Sequence, residues 1–240
     1  MKIALQLYSI KDISEEKGLP AALDKAKELG YDGVEFAGLF GLTPEQAKKE
    51  LDKMGLGCAG FHDGYELVFN ETDAEIEKAK ICGACSLCVP SYKAESIDGW
   101  VQLGKKMDEV GEKFRRAGIL FGYHNHEFEF AAMDGIYPID AILENSRPEN
   151  VFFEMDTRHV AVAGSNPADF AKKYAGRIPV LHARDTDGKD DCAVGSGIVD
   201  FEAVVKESGM PEWFVVENEN FGKNEQQLAD SVTYIRKTFA

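Results

Sequence analysis

The chain has 240 residues, 44% of them hydrophobic and 29% charged, with a formal net charge of −15. That length suits one large domain of ordinary globular composition, and the acidity argues against a nucleic-acid partner, because phosphate binding needs a face rich in Lys and Arg. The apolar start Met1–Tyr8 is broken by Gln6 and followed by Lys11 and Asp12, which is no signal peptide; no apolar stretch reaches the roughly 20 residues of a membrane helix, so a cytoplasmic location is expected.

In chain order, an apolar run at 3–8 carries Gln6 and Tyr8 at its end. Helical spacing follows in Leu23, Ala26 and Leu29, and Gly30 closes that segment. The next strand-like run, 32–36, holds Glu35. Thr43-Pro44-Glu45-Gln46 offers a helix N-cap, a proline at the first helical position and a partner for a capping box. Gly55 precedes a run at 56–62 that ends on His62. Thr72-x-x-Glu75 reads as a second capping box. Cys82-x-x-Cys85-x-x-Cys88 straddles a helix end and the strand-like run 84–90, so its thiols do not converge and are expected to be reduced packing groups.

Val101, Leu103, Met107, Val110 and Phe114 then mark a long helix before the run at 119–126, which carries His124 and His126. A run at 150–156 ends on Asp156, Asn166-Pro167 repeats the cap-then-proline device, and runs at 178–183 and 212–218 carry His182 and Glu217. Glycines 30, 55, 83, 118, 176 and 209 stand between helices and strands, where a left-handed residue ends a helix. Eight strand-like runs alternating with helical ones imply βα units and a parallel sheet. The first strand leads into Tyr8-Ser9-Ile10-Lys11 rather than a glycine-rich phosphate loop, which favours a closed (β/α)₈ TIM barrel over 1–240 above an open doubly wound sheet.

Catalytic groups of such barrels come from the C-terminal ends of the strands. All five histidines, His62, His124, His126, His159 and His182, fall at or just past a strand end, and none falls in an expected helix. Asp156 and Glu217 close long apolar runs, where an unpaired charge is costly. A divalent ion removes that cost. Histidine and carboxylate donors without cysteine suit Mn²⁺, Mg²⁺, Co²⁺, Fe²⁺ or Zn²⁺ without choosing among them.

At these residues the chain resembles the sugar phosphate isomerase/epimerase superfamily of xylose isomerase-like barrels. The carriers are Gln6-Leu7-Tyr8-Ser9, Gly33-Val34-Glu35-Phe36, His62, Gly122-Tyr123-His124-Asn125-His126-Glu127, Asp156-Thr157-Arg158-His159, Leu181-His182-x-Arg184-Asp185, Gly195-Ser196-Gly197 and Val216-Glu217. The resemblance spans essentially the whole chain. It implies a metal held by Asp156, His182 and Glu217. At the strand-five position His124 stands in place of the glutamate of ketose epimerases, a pattern closer to the inosose-dehydratase-like branch.

The resemblance further implies catalytic roles for Glu217, Glu127 and His126. It places Gln6, Tyr8, Glu35, His62, His159, Arg184 and Asp185 against a small sugar or keto-sugar. Arg184 and the Gly195-Ser196-Gly197 loop could receive a phosphate. Trp213 is expected to pack between barrel and helices.

The implied activity is a metal-dependent sugar isomerase or epimerase working through an enediolate. The alternative is a lyase or dehydratase on a keto-sugar, keto-inositol or 3-keto-glycoside, since the first half-reaction is common to both. A DNA-repair endonuclease on the same barrel conflicts with the acidity, and a non-catalytic sugar-binding subunit predicts no turnover at all. Homo-oligomers are common among such barrels, although nothing in the chain marks an interface.

Overall fold

The computed structural model describes residues 1–239. Eight parallel strands lie in one sheet: β1 (Lys2–Gln6), β2 (Gly33–Phe36), β3 (Gly57–Phe61), β4 (Ser86–Val89), β5 (Leu120–His124), β6 (Phe152–Asp156), β7 (Val180–Ala183) and β8 (Trp213–Val216). Their order is β3-β2-β1-β8-β7-β6-β5-β4. The circle closes between β3 and β4 through two isolated parallel bridges, Cys58–Ala84 and His62–Cys88. The result is a nearly closed TIM barrel, as the alternating pattern implies.

Helices fill the connections: α1 (Lys11–Lys17), α2 (Leu19–Glu28), α3 (Pro44–Met54), α4 (Tyr65–Asn70), α5 (Thr72–Cys82), α6 (Ile97–Arg116), α7 (Pro138–Glu144), α8 (Thr157–Val162), α9 (Pro167–Lys173), α10 (Phe201–Ser208) and α11 (Glu225–Phe239). Among the described residues no helix is long and apolar enough to cross a membrane.

Local chemistry explains most boundaries. Thr43 and Gln46 form the expected capping box at the start of α3. Asn166 caps α9 by accepting from the Ala168 amide. Gly55 and Gly83 end α3 and α5 in the left-handed conformation. The Thr72 box does not form: Glu71 is the cap of α5, and the Thr72 hydroxyl donates back to the Val68 carbonyl at 2.9 Å. α4 runs into α5 almost without a break, so the Thr72 side chain serves the preceding turn. A short antiparallel hairpin, Asp185–Thr186 against Asp191–Cys192, was not anticipated. The cysteines are unpaired, with Cys58, Cys82 and Cys88 buried and the other two half-buried.

Successive strand residues point to opposite faces of the sheet. Outward-facing Ile3, Leu5, Phe121, Tyr123, Phe153, Met155, Leu181, Phe214 and Val216 pack under the helices in the main core. Inward-facing Ala4, Ala59, Cys88, Phe152, Val180, Trp213 and Val215 form a separate plug inside the barrel. Trp213 therefore packs within the barrel, not between barrel and helices. A side chain on Gly33 would come within 2.8 Å of its ring, so glycine there makes room for it. Two residues further along the same strands, the inward positions turn polar: Gln6, Glu154 and then Asp156, His182 and Glu217. The plug is thus the dry floor of a polar chamber.

The β3–β4 seam is joined by isolated bridges rather than a continuous ladder and depends on close approach. A Cβ at Gly60 would stand 2.4 Å from Ser86 Oγ and 2.9 Å from Glu35 Oε1. Gly60→Ala is expected to destabilise the fold by about 1–3 kcal/mol, the usual range for overpacking. Thermal unfolding monitored by circular dichroism would show this as a midpoint several degrees lower; an unchanged midpoint would mean that the seam is not close-packed.

Candidate active site

The polar chamber opens into a cavity of about 740 Å³ at the C-terminal ends of the strands. Gln6, Tyr8, His62, His124, His126, Glu127, His159, Arg184 and Glu217 all line it. Asp156 and His182 lie directly beneath, fully buried. The first turn after β6 explains the position of Asp156. Its carboxylate caps α8, with Oδ1 accepting from the His159 amide at 3.0 Å. Asn125, in the loop after β5, clamps the same residue: its Oδ1 accepts from the Asp156 amide at 2.9 Å, and its amide nitrogen donates to the Asp156 carbonyl at 3.3 Å. The second carboxylate oxygen, Oδ2, is buried and has no hydrogen-bond partner.

His182 stands between two carboxylates. Its Nδ1 lies 3.1 Å from Glu217 Oε2, and its Nε2 lies 2.7 Å from Glu35 Oε2. Burial would push the His182 imidazole down, but Glu154 and Glu35 outweigh it and hold the ring well above its ordinary value. Burial likewise opposes ionisation of Glu217, yet its bond to His182 and the Arg184 charge hold it well below the carboxylate range. His124 is held well below its ordinary value by burial and by the neighbouring His182 and His62. His126 is lowered to about 4 by burial and His159.

Donor atoms of His124, Asp156, His182 and Glu217 all lie within 4.8 Å of one another. The set fits a divalent cation: it contains an orphaned buried oxygen, an ionised carboxylate and, in His124, an uncharged imidazole, while an ion would have to displace the proton that Glu154 and Glu35 hold on His182.

Arg184 braces the other side of the mouth. Its Nε and Nη2 donate to Asp191 Oδ2 on the short hairpin at 3.1 and 2.8 Å, and its Nη1 donates to Glu219 at 3.0 Å. Nη1 also donates to His159 Nε2 at 3.3 Å. A guanidinium can only donate, so His159 Nε2 accepts in that contact, while Nδ1 stands 2.7 Å from Glu127 Oε2.

Two expected sugar contacts lie elsewhere. Glu35 does not line the cavity; it is fully buried under His62 and His182 and accepts from Gln6 Nε2 at 2.7 Å. Asp185 is turned into the loop 195–199. Its carboxylate accepts from the amides of Thr186, Gly195, Gly197 and Val199 at 2.9 to 3.2 Å. The Gly195 and Gly197 amides are therefore committed to Asp185 and the Ser196 amide to the Ala193 carbonyl, so none is turned toward a phosphate.

Glu154, Glu129 and Asp191 are among the polar residues of this region that the sequence motifs do not single out, and Asn125 appears in one only as a motif residue without a role. Glu154 had one available signal: a charged residue two positions before Asp156 on the same apolar strand must share its inward face.

The chain belongs to the xylose isomerase-like TIM barrel family, whose model matches residues 23–238. It is similar to an inosose dehydratase of Lacticaseibacillus casei, 23% identical over 254 aligned positions that cover 87% of this chain and 84% of that protein. Among solved structures, a sugar phosphate isomerase/epimerase from Parabacteroides distasonis superposes with a TM-score of 0.83 at 24% identity, covering 100% of this chain and 99% of that one. An L-ribulose 3-epimerase does so with a TM-score of 0.76 at 16% identity, covering 98% and 93%.

Glu129 adds a measurable consequence. It is fully buried, accepting from Tyr123 Oη at 2.6 Å and from the His126 amide at 2.8 Å, and burial raises it to about 8. A raised carboxyl favours the protonated folded state, so its contribution to stability is complete below the unfolded value near 4.5. It is lost as pH rises through about 8, with an upper bound of roughly 4–5 kcal/mol. Glu129→Gln mimics the protonated acid. Its unfolding free energy should decline less between pH 5 and pH 8 than that of the unaltered chain, as read from denaturant melts; parallel declines would exclude a raised Glu129.

Proposed function

We propose that the chain is a metal-dependent enzyme acting on a small polyhydroxylated ketone, such as a keto-inositol or keto-sugar. In this reading it removes a proton beside the carbonyl and then expels a hydroxyl as water. His124, Asp156, His182 and Glu217 are the residues that would hold the ion, with Mn²⁺ the first candidate. When bound there, a divalent ion polarises the carbonyl and acidifies the adjacent C–H.

The observation that carries the reading is that Glu217 is the one carboxylate of this donor set that lines the cavity. Ionised beside His182 and Arg184, it takes the proton from carbon. The C–O bond at the next carbon then breaks, and the departing hydroxyl takes that same proton from Glu217 and leaves as water. One carboxylate thus serves both half-steps. His126, lowered to about 4, is an uncharged imidazole at neutral pH. Together with Gln6, Tyr8, His62, Arg184 and the His159–Glu127 pair it orients hydroxyls. The curated relative named inosose dehydratase supports an elimination.

The second reading is an isomerase or epimerase. It is favoured by Glu127, a carboxylate at the cavity wall that is able to return a proton, and by the likeness in fold to an L-ribulose 3-epimerase.

Incubation of the Mn²⁺-loaded protein with keto-inositols and keto-sugars in D₂O separates these. Loss of one water from the substrate supports elimination, whereas deuterium uptake at constant composition transfers the assignment to the second reading. No change in any of these substrates would overturn both. Glu217→Gln is expected to lower kcat by about 10²–10⁴-fold, the usual worth of a positioned acid/base. Asp156→Asn should remove the response of activity to added Mn²⁺, and exhaustive chelation of the unaltered chain should abolish activity that added Mn²⁺ then restores; activity that survives chelation unchanged sinks the metal assignment.

A further inference from the structure

The imidazoles and carboxylates of the barrel meet at two levels, and only the upper one enters the reading above. Glu154 precedes Asp156 by two residues on β6, so its side chain enters the barrel one level lower. It is fully buried. Its Oε2 lies 2.6 Å from His62 Nε2, 3.5 Å from His182 Nε2 and 3.5 Å from His124 Nδ1. Glu35 Oε2 adds contacts of 2.7 Å to His182 Nε2 and 3.1 Å to His62 Nε2. One donor atom each from His62, His124, Glu154 and His182 share a space in which all lie within 4.8 Å of one another.

Two donors bound to one ion at about 2.1 Å stand roughly 3.0–3.4 Å apart. Glu154 Oε2 stands 2.6, 3.5 and 3.5 Å from the His62, His182 and His124 nitrogens, distances that bracket that spacing. His124 Nδ1, in a residue only 3% exposed, points at this group and has no hydrogen-bond partner. His182 presents a different nitrogen to each level, Nδ1 to Glu217 above and Nε2 to Glu35 and Glu154 below.

We propose that His62, His124, Glu154 and His182 form a second cation seat beneath the first, for a divalent ion that favours imidazole donors, such as Zn²⁺ or Co²⁺. The proposal goes beyond the reading above and shares His124 and His182 with it. His62 and His124 line the mouth cavity, which gives an ion its path inward. Asp156 and Glu217 belong to the upper level alone, and Glu154 and His62 to the lower. With both seats filled, His124 and His182 would each offer one ring nitrogen to either level, and the protons those nitrogens carry would pass to solvent.

The test strips the full chain with a chelator, loads it with Co²⁺, removes the excess by gel filtration and counts Co²⁺ per chain by elemental analysis. Visible absorption reports the ligand field, and circular dichroism confirms that each variant is folded. Asp156→Asn is expected to retain one tightly held Co²⁺ per chain. Adding Glu154→Gln or His62→Asn to it should weaken that ion by at least about 10-fold; the two are independent, so one suffices if the other fails to fold. The proposal is overturned if Glu154→Gln and His62→Asn, singly, leave the Co²⁺ content and spectrum as they were. It is also overturned if one ion is lost equally in all three single variants, which marks a single composite centre. If Asp156→Asn keeps the full content while Glu154→Gln empties the chain, the lower seat stands and the upper assignment fails. An unaltered chain that binds no Co²⁺ overturns both.

Discussion

Four carboxylates, those of Glu35, Glu154, Asp156 and Glu217, are carried into the top of the barrel with almost no access to water. Unpaired, each would be strongly unfavourable in so apolar a setting. Most of the polar structure around them answers that constraint. His182 takes a carboxylate on either ring nitrogen, and His62 touches both Glu35 and Glu154. Gln6 donates to Glu35, while Arg184 lies 3.8 Å from Asp156 and 3.7 Å from Glu217. Removal of one partner therefore exposes the charges of several others, and these residues act as a unit.

The supports of this chamber are rigid for a structural reason. Its groups stand on strand ends rather than on free loops, over a floor filled by Phe152, Val180, Trp213 and Val215. The loops that do contribute are tied down by side chains. Asn125 holds the Asp156 backbone, Asp185 gathers the amides of the 195–199 loop, and Asp191 links the short hairpin to Arg184 and to the Glu219 amide at 2.7 Å. Geometry of this kind suits a site in which a small misplacement of a reacting atom is expensive.

The chamber also shows why Glu35, on β2, and Asp185, just past β7, differ from their expected places. Depth separates the first from the cavity, and the turn of the chain separates the second. Glu35 points inward but lies beneath the rings of His62 and His182. Asp185 follows the end of β7, where the chain turns into the hairpin and takes the carboxylate away from the mouth. Neither distinction can be read from strand membership alone.

The alternation of apolar runs with helical spacing determined the βα repeat, and the glycine punctuation and the Thr43 and Asn166 caps determined where several helices begin and end, because those signals are local: each depends on residues within a few positions. The period of two along a strand also determined that Asp156 and Glu217 face the same interior as the plug beneath them. Tertiary structure alone decided what meets what. The pairing of Glu154 with His62 joins residues 92 positions apart, and that of Glu35 with His182 joins residues 147 apart. Such contacts arise only when the strands close into a circle, because the closed barrel brings side chains from every strand to one axis and leaves their depth along it to decide which are lining, which are bracing and which are buried.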